Sequence, residues 1–460
     1  MSADGAAHPA RRPAGTFAVA RDAIPGGQPP GAADGADGSH GQPGAGYGEA
    51  GAGLLPRERL AAWKALLSRP LLSYYLVMGI SALLLALGLV MVLSTSSASA
   101  LVSGEPPYRD FQKQLLGVAL GLPLMWIAAR SSPRLFRAAA YPLLVVAVIG
   151  LVLTLVPGVG VTSGGASRWI DLGPFQLQPS ELAKFAFMLW GADLLARKEQ
   201  LGQLSEWRHL LLPLLPGASV ICLLVMLGDD LGTTFVLLTI FLALLWVVGT
   251  PGRLFIAVLA LMGVALLMLI IVAPYRLERL TSFLNPQTDP VGTAMQNIQG
   301  KYAVGSGGWF GVGLGAGKEK WGWVPNATTD YIFAIIGEEL GLVGTLCVSL
   351  LYGGLAYAGL RIARRVDDTF MRLAAAAATA WIVAQAVVNI GAVIGVFPIT
   401  GVPLPLVSYG VSSLVTTMAA LGMLMSFAKR EPGAREALAA QGESGLRRVL
   451  SWLGLAPNRA

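Results

Sequence analysis

The chain has 460 residues, 54% of them hydrophobic and 13% charged. Soluble domains carry about 25% charged residues, so the composition is that of a polytopic membrane protein. The net charge of +7 does not point to nucleic acid, because the Lys and Arg residues sit beside apolar runs and no aromatic residues interleave with them. Cys222 and Cys347 both fall in apolar runs, which excludes a disulfide framework. The only histidines are His8, His40 and His209. That inventory excludes a His/Cys metal site and leaves acid–base chemistry to Asp, Glu and Lys.

In chain order, residues 1–55 are Gly, Ala, Pro and Asp with almost no large apolar side chain. They predict a disordered cytoplasmic tail, reaching to about residue 70. The tail lacks the apolar core of a signal peptide, so the first span is expected to act as an uncleaved anchor. Ten membrane spans are predicted, at 72–94, 114–130, 137–156, 180–196, 209–227, 231–249, 252–273, 331–358, 371–397 and 405–427. The fold class is therefore an all-α polytopic membrane protein with one long extracytoplasmic loop, about 273–329. The membrane domain is 71–428, and 429–460 form a cytoplasmic tail. With ten spans the clusters around Arg57–Arg69, Arg130–Arg137, Arg197–Arg208, Arg361–Arg372 and Lys429–Arg435 all fall on one side. The positive-inside rule makes that side, and both termini, cytoplasmic. Residues 445–455 fit either a short basic amphipathic helix on the inner leaflet or a frayed tail.

Charges within or beside spans are costly and mark functional candidates. Arg168, after the third span, is an outward cation able to bind a phosphate or a carboxylate. Ser180 after Pro179 opens the fourth span, with Glu181 and Lys184 three apart on one helix face. Lys184 needs a partner, and Glu181 or Asp230 are the candidates. The expectation taken forward is a coupled Lys184–Asp230 pair. In the eighth span at least one of Glu338 and Glu339 should face a polar cavity; the alternative for all of these residues is structural pairing that holds the bundle. The prolines and hydroxyls of Thr400–Gly410 imply broken backbone, tolerated at membrane depth only when buried in protein or lining a cavity.

The outward loop is too long to be a mere connection. Its carboxylates, chiefly Asp289, are where chemistry is sought. Asn285-Pro286 and Asp289-Pro290 are also turn formers, and on local sequence alone that reading of Asp289 comes first. The glycine-rich run 305–317 fails the phosphate-loop spacing, having Val312 and Glu319 where Gly and Ser/Thr are needed. It reads as a flexible loop packed on the membrane face. Trp309, Trp321 and Trp323 suit either lipid headgroups or the apolar face of a sugar.

Five ordered stretches carry a resemblance. They are Gly165–Lys184 with Arg-Trp and Gln-Pro-Ser-Glu-Leu-Ala-Lys, Asp230-Leu-Gly-Thr233, Asn285–Pro290, Thr329–Gly341, and Gly401–Gly410 with Pro-Leu-Pro-Leu-Val-Ser-Tyr-Gly. Over about residues 75–428 the chain resembles the SEDS (shape, elongation, division and sporulation) family, and most of all its division branch. The chain departs from the usual motifs at Ala294-Met295, Gly300-Lys301, Thr328, Tyr331 and Val411. These departures bear on substrate contacts.

The resemblance implies a peptidoglycan glycosyltransferase that polymerises lipid II at the outer face of the bacterial inner membrane, at the division septum. Its implied partners are a class B penicillin-binding protein and other division proteins of the FtsQ, FtsL and FtsB class. The family's essential loop aspartate falls on Asp289, which makes it the implied general base. Its charged positions fall on Lys184 and Asp230. Arg168, Lys184, Arg109, Lys113, Gln296 and Ser408 are the substrate-binding candidates, and Glu181 and Glu338 join Lys184 and Asp230 as charged structural ones. No metal is held by a dedicated ligand set, though a divalent cation, Mg²⁺ or Mn²⁺, suits phosphate and carboxylate oxygens. Two other function classes stay open at this point: a lipid II flippase and a non-catalytic division scaffold.

Overall fold

The structure is a computed structural model, describing residues 69–104, 106, 108–163, 166–173, 175–203, 206–272, 274–285, 287, 292 and 294–440. The predicted tail up to residue 68, the predicted helix at 445–455 and Asp289 lie outside the described residues.

Among the described residues ten helical segments follow one another, as expected of an all-α membrane bundle. They are α1 (Leu72–Ser103), α2 (Arg109–Arg130), α3 (Pro133–Thr154), α4 (Pro179–Gln200), α5 with α6 (Trp207–Leu211 and Leu214–Leu227), α7 (Leu231–Val247), α8 (Gly252–Val272), α11 (Ile332–Arg365), α12 (Thr369–Ile394) and α13 (Val411–Ala428). Between α8 and α11 lie α9 (Pro274–Leu284) and α10 (Met295–Ser306), and α14 (Ala434–Ala440) follows α13. Eight of these segments are long and apolar enough to cross a membrane. Leu231–Val247 is a shorter apolar helix, and α4 carries Glu181, Lys184 and Asp193 among its buried residues. Those three charges explain why α4 is weak by hydropathy and yet sits inside the bundle, where protein rather than lipid surrounds it.

Several boundaries differ from the sequence expectation. The fifth span is interrupted at Leu212-Pro213, because proline cannot donate to the helix ladder. The last span starts at Val411 rather than 405, since 401–410 is irregular and mostly buried. The loop expected at 273–329 contains two helices, one opened by Pro274 at its first turn. A small sheet was not foreseen: β1 (Gly160–Ser163), β2 (Ala166–Asp171) and β3 (Gln176–Leu177) pair antiparallel, with Gly160 opposite Ile170 and Ile170 opposite Leu177. Strands of two to six residues leave too short an alternating pattern to read from sequence.

α2 and α13 pack side by side, and Gly422 permits the approach: a Cβ there would come within 2.4 Å of the Met125 carbonyl oxygen. The basic helix ends gather on one face and are tied together. Arg137 Nε and Arg197 Nε each lie 2.7 Å from an Asp193 oxygen, Arg372 lies 3.0 Å from Glu199, and Lys429 Nζ donates to the Ala129 carbonyl at 3.0 Å. The opposite end of the bundle carries the sheet, α9, α10 and the buried loop before α13.

One break in α11 shapes that opposite end. Gly341 has φ 68° and ψ −163°, a conformation essentially confined to glycine. The glycine-rich run 307–317 fills the gap. Val312 N donates to Glu338 O at 2.9 Å, Gly313 N to Glu339 O at 3.1 Å and Leu342 N to Gly308 O at 2.9 Å. Glu338 Oε1 accepts from Lys318 N at 2.6 Å, and Glu339 Oε1 accepts from Lys320 Nζ at 2.6 Å and Ser94 Oγ at 2.8 Å. Glu339 Oε2 also accepts from Gly315 N at 3.0 Å, so both carboxylates are spent on holding residues 315–320 rather than facing a polar cavity, which corrects the expectation for Glu338 and Glu339. The run is a fixed strap, not a flexible loop. A Cβ on Gly341 would lie 2.4 Å from Gly311 N, so Gly341→Ala is expected to cost at least about 1–3 kcal/mol. The measurement is a lowered unfolding temperature together with new protease cleavage between residues 307 and 317.

Candidate active site

Several residues that the sequence picked out converge at the end of the bundle opposite the basic rim, though not all in the roles expected. Arg168 sits on β2, whose hairpin carries it over the α6–α7 junction. Its Nη2 donates to Asp229 O at 2.5 Å, while its buried Nε has no partner among the described residues. Asp229 takes the left-handed conformation, φ 60°, which turns the chain so that Asp230 can cap α7. Asp230 Oδ1 accepts from Thr233 N at 3.0 Å, and Oδ2 accepts from Thr233 Oγ1 at 2.7 Å and Gln178 Nε2 at 3.2 Å. This is an N-cap satisfied on every side.

The predicted Lys184–Asp230 pair is therefore corrected. Lys184 Nζ lies 2.8 Å from Glu181 Oε1 and donates to Gln385 Oε1 at 3.0 Å, with the Trp381 ring 5.2 Å away. Glu181 wins because it is one turn away on the same helix, whereas Asp230 is already engaged as a cap. Lys184 is buried, so it holds the bundle and does not line an open site. Gln385 passes the connection on: its Nε2 donates to Pro403 O at 2.9 Å, and Asn389 Nδ2 donates to Val402 O at 2.7 Å and Asp330 O at 2.8 Å. The irregular backbone of 401–410 is satisfied by these amides, as membrane depth requires. Ser408 belongs to the same scaffold. Its Oγ donates to Thr329 O at 2.6 Å and accepts from Leu404 N at 2.8 Å, which replaces the expected substrate contact with a holding one. Gln114 ties α2 to it, accepting from Gly410 N at 3.1 Å.

Among the cavities around this scaffold are three that carry charged side chains. The smallest, about 50 Å³, lies between Arg168, Arg279, Ile399 and Thr400. The second, about 210 Å³, shares Arg279 and Ile399 and adds Ser282, Phe283, Gln296 and Asn297. The third, about 350 Å³, lies beyond Pro325 and is lined by Arg109, Asp110, Lys320, Ser96 and Asn326. Gln296 donates to Pro325 O at 3.2 Å, in the wall between the second and third. Lys113 is half-buried one turn past Arg109 on α2. Asp289 lies outside the described residues, but α9 and α10, which flank it, both line the 210 Å³ cavity.

Arg279 and Asp330 complete the charged centre. Burial pushes Asp330 up from the ordinary 3.8 to about 6, with Arg279 and Arg168 opposing that rise and Asp230 adding to it. Between about pH 4 and pH 6 the folded chain holds a proton on Asp330 that the unfolded chain has released. Stability should therefore fall as pH rises through that window. Asp330→Asn should remove this slope in thermal unfolding measured across pH; an unchanged slope would mean that another group causes it.

Arg279 was missed in the sequence, though a signal existed. Arg276 and Arg279 follow a span on the side that the positive-inside rule leaves poor in cations. Gln385 and Asn389, two amides one turn apart inside an apolar helix, were a second signal. Among the described residues no group of three His, Cys, Asp or Glu side chains is arranged to hold a metal.

Comparison with known proteins accounts for this architecture. Residues 74–432 match the family model of FtsW, RodA and SpoVE, described as cell cycle protein. The chain is 43% identical over 395 residues to the probable peptidoglycan glycosyltransferase FtsW of Mycobacterium tuberculosis, covering 86% of this chain and 74% of that one. It is 36% identical over 351 residues to stage V sporulation protein E of Bacillus subtilis, covering 76% and 95%. Among solved structures, a chain of a peptidoglycan synthase complex that coordinates polymerization and crosslinking aligns with a TM-score of 0.62 at 31% identity, covering 77% of this chain and 97% of that one. The rod shape determining protein RodA of Thermus thermophilus aligns with a TM-score of 0.55 at 28% identity, with the same coverage. The match to that model over residues 74–432 and the identities to these relatives show that the chain belongs to the FtsW/RodA/SpoVE family.

Proposed function

We propose that this chain is a peptidoglycan glycosyltransferase that polymerises lipid II on the outer side of the membrane. The observation that carries the reading is the convergence of Arg168 and Arg279 on one small cavity at the end of the bundle opposite its basic rim. Arg168 is half-buried and Arg279 is exposed beside the same cavity, and two such guanidiniums suit the oxygens of a diphosphate. In the reaction, the 4-hydroxyl of one lipid II attacks the anomeric carbon of the glycan carried on polyprenyl diphosphate. Asp289 takes the hydroxyl proton, and the diphosphate leaves with its bonding electron pair. The arginines stabilise that charge where it develops, so no acid has to protonate the leaving group. A divalent cation, Mg²⁺ or Mn²⁺, fits as a companion of the diphosphate oxygens.

The basic rim is then cytoplasmic by the positive-inside rule. Relatives named FtsW support a place at the division septum with other division proteins. The complex that aligns with this chain coordinates polymerization with crosslinking, which supports a crosslinking partner, and the family resemblance implies a class B penicillin-binding protein in that role. The test is glycan-strand formation from lipid II by the purified chain, with and without that partner. Strands should form, and Arg279→Ala should slow them at least ten-fold. Lipid II crossing a vesicle bilayer with no strand made would favour a flippase instead, and neither activity would leave a scaffold.

A further inference from the structure

The 210 Å³ cavity contains a feature that neither the fold nor the phosphate centre explains. Asn297, on α10, lines it and is 2% exposed. Among the described residues neither its Nδ2 nor its Oδ1 has a hydrogen-bond partner. A buried amide with both ends unpaired destabilises a fold, and native proteins rarely keep one without a use. Next to it the cavity presents the Phe283 ring, Gln296 and Arg279. The volume is below the 300–1,000 Å³ typical of drug-sized ligands, and suits a single sugar residue rather than a disaccharide with its lipid.

We propose that Asn297 recognises the acetamido group of an N-acetylated sugar, and that the cavity it lines is a subsite for one amino-sugar residue of the lipid-linked substrate. A carboxamide offers one donor face and one acceptor face. An N-acetyl group offers the complementary C=O and N–H, so one contact pairs both unsatisfied atoms at once. An aromatic ring packs against the apolar face of a sugar, and Phe283 supplies one. Arg279 is shared with the 50 Å³ cavity, so a sugar placed here has its diphosphate within reach of the arginine pair. A free amine in place of the acetamido group would leave the Asn297 oxygen or nitrogen unpaired and bring a cation towards Arg279. Rejection of analogues that leave a buried polar group unpaired is how binding sites gain selectivity.

The inference rests on the glycosyltransferase reading for its substrate, so its test reads binding separately from turnover. Full-length chain is titrated with lipid II, with lipid II de-N-acetylated on one sugar, and with lipid II lacking the stem peptide. Wild type should bind the first and third alike and the de-N-acetylated form at least ten-fold more weakly. Asn297→Leu and Asn297→Ala should lose that preference through weaker binding of natural lipid II, while their unfolding temperatures stay level or rise, because an unpaired buried amide has been removed. Preference retained in both variants would overturn the proposal. So would a fall in unfolding temperature that accompanies the lost binding, since that marks a structural role. Loss of binding when the stem peptide is absent would assign the amide to the peptide and equally overturn it. Acetamido preference without any strand formation would overturn the glycosyltransferase reading and leave the subsite standing.

Discussion

Asp289→Asn is expected to abolish glycan-strand formation while leaving expression and partner binding intact. Asparagine shares the turn propensity of aspartate, so the Asn285–Pro290 segment keeps its geometry. It cannot accept a proton at neutral pH. Loss of a positioned general base costs typically about 10²–10⁴-fold in rate. The position of the segment supports the role. It joins α9 to α10, and those two helices line the cavity that Arg279 shares with Arg168. The measurement is strand length and yield from lipid II, with partner capture as the control for folding. Near wild-type synthesis would reduce Asp289 to a turn former and move attention to Asp330, which lies beside the same arginines.

Lys184→Met is expected to destabilise the chain more than any single change at Asp230. Both Lys184 and Glu181 have side chains no more than 2% exposed. Removing the lysine leaves a buried carboxylate without its charge partner, and such losses typically cost about 3–5 kcal/mol. It also strips Gln385 Oε1 of one donor and so loosens the support of the 401–410 backbone. The double change Glu181→Gln with Lys184→Met should recover part of the loss, because no buried charge remains. Asp230→Ala removes a helix cap, which costs about 0.5–2 kcal/mol. Unfolding temperature in detergent, read for all four chains, checks the order. A Lys184→Met chain as stable as wild type, or an Asp230→Ala chain that is the more damaged, would show that the pair does not hold the bundle.

The membrane bundle was legible in the sequence because its cause is local. A bilayer core of about 30 Å demands a run of apolar residues of fixed length, and each such run can be read without knowing its neighbours. The gathering of Arg137, Arg197, Arg372 and Lys429 on one face followed in the same way from counting spans. So did the family, whose motifs are contiguous stretches. The place of Arg168 at the end of the bundle opposite the basic rim also followed from its position after the third span.

Partner choice was not legible, because it depends on which acceptor a side chain meets first in space. Lys184 has two acidic candidates in the sequence, and only the packed structure shows that Asp230 is consumed by Thr233 and Gln178, leaving Glu181. Glu338 and Glu339 looked like cavity residues because a carboxylate in a span must meet something polar. What they meet is the stretch 315–320, through the Gly315 and Lys318 amides and the Lys320 ammonium, together with Ser94 of α1. Ser408 likewise turned from a contact into a support once Thr329 and Leu404 came within reach. The charged centre itself joins Arg168, Arg279 and Asp330 from three separate outer connections. Its geometry is a product of tertiary packing, since desolvation and charge proximity act through space and leave no periodic trace along the chain.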